Sequence, residues 1–142
     1  MVFSVDNITA IRDILNNGLV ANIIAYGQRE YPNESCGFLL DGGAIHPARN
    51  VISNLYDRSL TPENAFLIDD ESWKLASQRK TPIIGIYHTH TNGSPDMSES
   101  DKKFLSWRDL CYVIVALVDT KPVAAKLFWW EQDLLNELPI NI

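Results

Sequence analysis

The sequence predicts an α+β domain, a mixed three-layer arrangement with a sheet between helices. Three observations predict it. Apolar residues recur at three- and four-residue spacings near the start, as on one face of a helix. Short apolar runs bounded by Gly, Pro and Asn follow, and these read as strands. Helical stretches then interrupt the strands in the order β-β-β-α-β-α-β-β, which does not have the regular alternation of a parallel α/β fold.

The opening stripe is Ile8, Ile11, Leu15, Leu19, Ile23 and Tyr26. It predicts a helix over 8–29, with a break expected near Asn16–Gly18 and a stop at Pro32. "CGFLLDGG" reads as a strand ended by a Gly-Gly turn, and "AIHPARNVI" as its hairpin partner, placed at an edge by Pro47. "NAFLID" predicts a further strand, after which Asp69 or Asp70 caps a helix through "DESWKLASQ". "TPIIGIYHTH" is a buried strand followed by the polar loop "TNGSPDM". Ser98 then suits a helix N-cap, with Asp101 three residues on as in a capping box. "CYVIVALVD" and "VAAKLFWWE" complete the sheet around a turn at Lys121–Pro122.

At 142 residues the chain fits one domain, 1–142, with no internal repeat or low-complexity linker to divide it. The formal net charge is -6 and the basic residues are scattered, so the basic patch that phosphate contacts require is missing and no nucleic-acid partner is expected. Asp6 and Arg12 fall where a signal peptide needs apolar residues, and runs such as "YVIVALV" are too short to span a bilayer. Cys36 and Cys111 sit far apart in apolar segments and read as buried reduced thiols. The expected setting is cytoplasmic, away from membranes.

One stretch carries chemistry: "YHTHTNGSPDMSESD". His88 and His90 lie two apart at the end of a strand, so their imidazoles project from the same face. Both can reach one metal ion, and Asp101 at the start of the next helix can turn its carboxylate back toward them. Two His and one carboxylate leave a fourth tetrahedral position, the pattern of a catalytic rather than a closed zinc site. Taken singly, each residue has an ordinary reading: a polar strand end, a helix cap, an acid at a helix dipole. The joint spacing is long and fixed. Cys36 is read as a small side chain packed under the metal site. His46 is read as a surface residue, and Trp107 as a rim aromatic able to line a groove.

That spacing, H-x-H-x(7)-S-x(2)-D, resembles the JAMM signature of the MPN+ (JAB) metalloproteases. The family pattern also requires an upstream glutamate, and "YPNESCGFLL" supplies Glu34 in the Glu-x-Cys-Gly context of bacterial members. The resemblance runs from about Glu30 to Trp130. It implies an MPN/JAB-like fold, a cytidine-deaminase-like sheet flanked by helices. It also implies one Zn²⁺ held by His88, His90 and Asp101, with Glu34 as general base and Ser98 donating to the oxyanion. Ser98 would then serve as both cap and donor, two roles that compete for one hydroxyl.

The activity implied is hydrolysis of the amide after the Gly-Gly tail of a ubiquitin-like or sulfur-carrier protein. Dimers are common in the family. Two alternatives stand beside it. One is a peptidase associated with phage tail tips, against which a chain of this length argues for a stand-alone enzyme. The other is a non-catalytic MPN-type interaction module whose structural zinc takes Cys36 or Glu34 as fourth ligand. An amidohydrolase barrel, which also begins a metal site with HxH, needs about 250 residues and is excluded by length.

Overall fold

A computed structural model describes residues 5–142; residues 1–4 of the expected domain lie outside the described residues. Two strands, β1 (Cys36–Leu40) and β2 (Ala44–Ala48), form an antiparallel hairpin whose turn places Gly42 and Gly43 at positive φ. β3 (Ile83–His90) pairs antiparallel with β1 and parallel with β4 (Cys111–Val118). A parallel pair needs a crossover, and this one carries the helix α4 (Glu99–Phe104). β5 (Lys121–Glu131) and β6 (Leu134–Pro139) extend the sheet as an antiparallel meander. The order is β2-β1-β3-β4-β5-β6.

Helices cover both faces. α1 (Val5–Ile14), a kink within Leu15–Leu19 where Asn17 and Gly18 leave helical geometry, and α2 (Val20–Glu30) lie over one face. The expected break is there: Gly18, at φ 128°, takes a conformation closed to most L-residues. Leu15, Leu19 and Ile23 pack with Tyr87, Val113 and Val115 of the sheet. α3 (Asp70–Ser77) and α4 lie on the side of the second cluster, where Phe38, Phe66, Ile86, Leu105, Tyr112 and Phe128 are buried together. β4 therefore sends Val113 and Val115 to one layer and Tyr112 and Ile114 to the other, and each fully buried side chain contributes roughly 1.5–3 kcal/mol. The three-layer α+β expectation holds.

Several elements differ from the sequence reading. "NAFLID" is not a strand. It begins in a turn, with Asn64 and Ala65 N–H donating to Thr61 O, and keeps one bridge, Asn50 to Ile68. The sixth strand is β6 instead, whose alternation was masked because Leu134 faces solvent while Leu135 and Leu138 turn inward. The hairpin between β4 and β5 turns at Asp119–Thr120, since Lys121 and Pro122 are already paired with Val118 and Leu117. The β2 strand stops at Ala48, short of the expected "RNVI", and Pro47 does sit on an edge strand. Asp69, not Asp70, is the cap of α3, its carboxylate accepting the Ser72 N–H at 3.1 Å.

Candidate metal centre

The site is assembled where β1 and β3 meet the start of α4. Alternation along β3 sends Ile86, His88 and His90 to the α3/α4 side and Tyr87 and Thr89 to the other. Thr89 has a separate task. Its Oγ1 accepts the Ser35 N–H at 2.8 Å, and its own N–H donates to Ser35 O at 2.9 Å. This double link fixes Ser35, the residue before β1, and so sets Glu34, one position upstream, beside the histidine pair. α2 approaches closely here through Gly27, where a Cβ would stand 2.7 Å from the Thr89 methyl.

The capping box places the acid. Ser98 Oγ accepts the Asp101 N–H at 3.1 Å, and Asp101 Oδ2 accepts the Ser98 N–H at 3.0 Å. That same Oδ2 stands 2.9 Å from His90 Nε2 and 3.2 Å from His88 Nε2, while the two Nε2 atoms are 3.0 Å apart. Glu34 completes the group: ligand atoms of Glu34, His88, His90 and Asp101 all lie within 4.8 Å of one another. All four side chains are buried, with residue exposures between 0% and 4%.

The chemistry of this donor set fits a divalent cation. Two imidazole nitrogens at hydrogen-bond distance repel through their lone pairs unless a proton or a cation lies between them. Donors 2.0–2.1 Å from a tetrahedral Zn²⁺ stand about 3.3 Å apart, close to the triangle observed. His90 is prepared for this. Its Nδ1–H donates to Ser94 O at 2.8 Å, which leaves the Nε2 lone pair turned inward. His88 Nδ1 and Glu34 Oε1 are buried with no hydrogen-bond partner among the described residues.

Electrostatics follow from burial and proximity. Burial pushes the Glu34 carboxyl up to about 8, with His90 pulling the other way and Asp101 adding to the rise. Burial also favours a neutral Asp101, but His88 and His90 outweigh it and hold the acid far below the carboxylate range. Desolvation lowers the basicity of the wholly buried His88, against the attraction of Asp101. For His90 the contacts with Asp101 and Glu34 overcome desolvation and raise it.

The structure thus brings together Glu34, His88, His90 and Asp101, with half-buried Ser98 at the rim. Ser98 Oγ spends a lone pair on the cap, so its proton remains available. Its only side-chain neighbour at hydrogen-bond distance among the described residues is Ser100 Oγ, at 3.1 Å. The cap thus uses the accepting side of the Ser98 hydroxyl, and an oxyanion donor would use its O–H.

Cys36 is buried in the core cluster beneath the site, outside the four-residue group, and burial followed by the nearby Asp69 charge keeps its thiol protonated. His46 is half-buried rather than free on the surface. Its Nδ1 is 2.9 Å from Arg79 Nη1, and burial and then that guanidinium lower its basicity. Trp107 leans on Trp73 at 5.4 Å and lines a small apolar cleft of about 60 Å³ with Phe66 and Ile86.

Two residues escaped the sequence reading. Asn50 Nδ2 donates to Glu34 O and Ala65 O, and its Oδ1 accepts from Ile52 and Leu67 N–H. Phe66 stacks on His88, with centroids 4.2 Å apart and planes 26° from parallel. Neither carries a motif, because both roles come from loop geometry.

The chain is similar to known proteins in sequence and in fold. Proteins named CysO-cysteine peptidase from Mycobacterium tuberculosis and Mycobacterium bovis are 25% identical over 134 residues, covering 91% of this chain and 90% of theirs. A solution structure from Desulfitobacterium hafniense superposes with a TM-score of 0.64 at 25% identity, covering 89% of each chain. One from Salinibacter ruber gives 0.60 at 27%, covering 86% of each. The profile of the prokaryotic homologs of the JAB domain matches residues 16–131, a span that contains the sheet through β5 and every residue of the buried group. With fold, buried site and sequence profile in agreement over that span, the chain belongs to the prokaryotic JAB-domain family.

Proposed function

We propose that this chain is a zinc-dependent peptidase or isopeptidase that hydrolyses the amide after the C-terminal Gly-Gly of a sulfur-carrier or ubiquitin-like protein. The observation that carries the reading is the convergence of two imidazoles and two carboxyls, all buried, on a volume one cation fills. The name of the mycobacterial relatives, CysO-cysteine peptidase, supports amide cleavage on a protein-derived substrate. Buried thiols at Cys36 and Cys111 suit a reducing cytoplasm.

In this reading His88 and His90 hold the ion through Nε2 and Asp101 through Oδ2. A Zn²⁺ there supplies Lewis acidity toward a carbonyl oxygen and a water molecule. Burial raises Glu34 in the metal-free protein; beside a bound cation it would be ionised, and it then accepts the proton that water loses as its oxygen bonds to the carbonyl carbon. It then delivers that proton to the nitrogen as the C–N bond breaks, so carboxylate and proton are both restored. Ser98 O–H donates to the developing oxyanion. A cavity of about 550 Å³ between the 55–64 segment and α4, bordered by Leu60, Ser98 and Lys103, has room for an extended tail. Two glycines let a backbone pass close to the centre.

The test is incubation of the zinc-loaded protein with a Gly-Gly-tailed fusion. Cleavage after the second glycine is expected from the wild type, and none from Glu34→Gln with zinc retained. An intact fusion with both proteins rejects the reading. Loss of zinc from Glu34→Gln would instead make Glu34 a fourth ligand, a closed structural site that its position within 4.8 Å of the other three also allows.

A further inference from the structure

We infer that Phe66 is a positioning residue for His88, setting the plane of that ring and so the aim of its Nε2. The inference rests on the reading of His88 as a metal ligand. A metal-binding histidine ordinarily has its plane and tautomer set by a hydrogen bond from its other ring nitrogen. His90 follows that rule through Ser94 O. His88 does not: its Nδ1 is buried and has no hydrogen-bond partner among the described residues. Rotation of a histidine ring about its terminal torsion is only broadly restricted by local sterics, so something else must hold it.

Phe66 is the group that does so. The rings are near parallel at 26° with centroids 4.2 Å apart, and Phe66 is itself 4% exposed. The imidazole lone pair lies in the ring plane, so a tilt of that plane swings Nε2 away from the position it shares with His90 Nε2 and Asp101 Oδ2. Stacking resists the tilt. It does not choose between the two faces of a flipped ring, and that choice falls to Asp101 at 3.2 Å. His90 meets the same ring edge-on, at 4.8 Å and 66°.

The placement of Phe66 also explains the 64–68 segment, apolar like a strand yet almost unpaired. Asn50 grips it on both sides of the phenyl group, through Ala65 O and Leu67 N–H, and Val51 N–H donates to Leu67 O. Asn50 also holds Glu34 O. One amide therefore registers the segment bearing Phe66 against the residue that faces the metal position.

Zinc affinity measured by chelator competition tests the inference without relying on turnover. Wild type is expected to bind one equivalent. Phe66→Leu, apolar but without a ring, is expected to weaken binding about tenfold or more, the usual cost of losing support for a ligand. Phe66→Tyr, which keeps the ring, is expected to restore it. Ile86→Ala hollows out the same cluster and should lower stability while leaving affinity within about twofold, since Ile86 carries none of the donor atoms and no ring stacked on them. Equal affinity in Phe66→Leu and wild type overturns the proposal. A wild type that takes up no zinc overturns the metal reading and the proposal with it. If Phe66→Leu does not fold, nuclear Overhauser contacts between the Phe66 and His88 rings in zinc-loaded wild type decide, their absence counting against it.

Discussion

Asp101 Oδ2 accepts the Ser98 backbone N–H at 3.0 Å while standing 2.9 Å from His90 Nε2. A helix cap and a candidate metal ligand are thus one oxygen atom. The cap supplies preorganisation, because the carboxylate is aimed by a backbone donor that no side-chain substitution removes. Ser98→Ala should therefore keep zinc at one equivalent while losing the Oγ cap, at about 1 kcal/mol of stability. Turnover on a Gly-Gly fusion should fall about 10²–10³-fold through loss of the oxyanion donor. Metal analysis, urea unfolding and kinetics on one variant separate the three effects, and a fall in zinc content would show that the hydroxyl itself supports the ligand.

Asp101→Asn tests the opposite partition. An amide oxygen still accepts the Ser98 N–H, so α4 should remain capped and the fold intact. The charge that draws the two imidazoles together is removed, and zinc should become substoichiometric after dialysis. Circular dichroism paired with metal analysis checks this; full zinc retention in the variant would show that Asp101 is only a cap.

The elevated Glu34 carboxyl gives stability a defined pH dependence in the metal-free protein. Its native value, about 8, lies above its ordinary value of 4.5, so between these limits the native state binds the extra proton. The Glu34 contribution to stability then falls as pH rises through that window and is level below it and above it. That part of the slope should be absent from Glu34→Gln, making its pH dependence shallower. Urea midpoints of both proteins at pH 5 and pH 8.5, with chelator present, provide the comparison. Parallel behaviour of the two would mean that Glu34 is already ionised at neutral pH.

Asn50→Ala removes four hydrogen bonds in one step and leaves the backbone groups of Glu34, Ala65 and Leu67 short of partners. At about 1 kcal/mol for each bond, discounted because the site is only half-buried, a loss of about 2–3 kcal/mol is expected. Zinc affinity should fall as well, since Phe66 and Glu34 lose their common anchor. Unchanged stability would mean that the 50–68 connection is held by its apolar contacts alone.

Read as a chain, the protein already declares its layers and the core of its site. Helical spacing in 8–26 marks the first layer, apolar runs mark β1, β3, β4 and β5, and the His-x-His pair lies on one strand face because side chains alternate. The Ser98–Asp101 box is equally local, with both partners within one helical turn. These features depend on near neighbours in sequence, and composition and spacing report near neighbours well. Glu34 was recognisable only through its resemblance to a family pattern. Tertiary structure decided the rest. It converts "NAFLID" from an expected strand into a loop held by an asparagine 15 residues upstream, and lays Phe66 on His88 from across the fold. It reveals β6, whose weak alternation makes sense only once β5 lies beside it. It also raises the Glu34 carboxyl, because desolvation depends on what surrounds a group in space, and no reading of spacing along a chain contains that quantity.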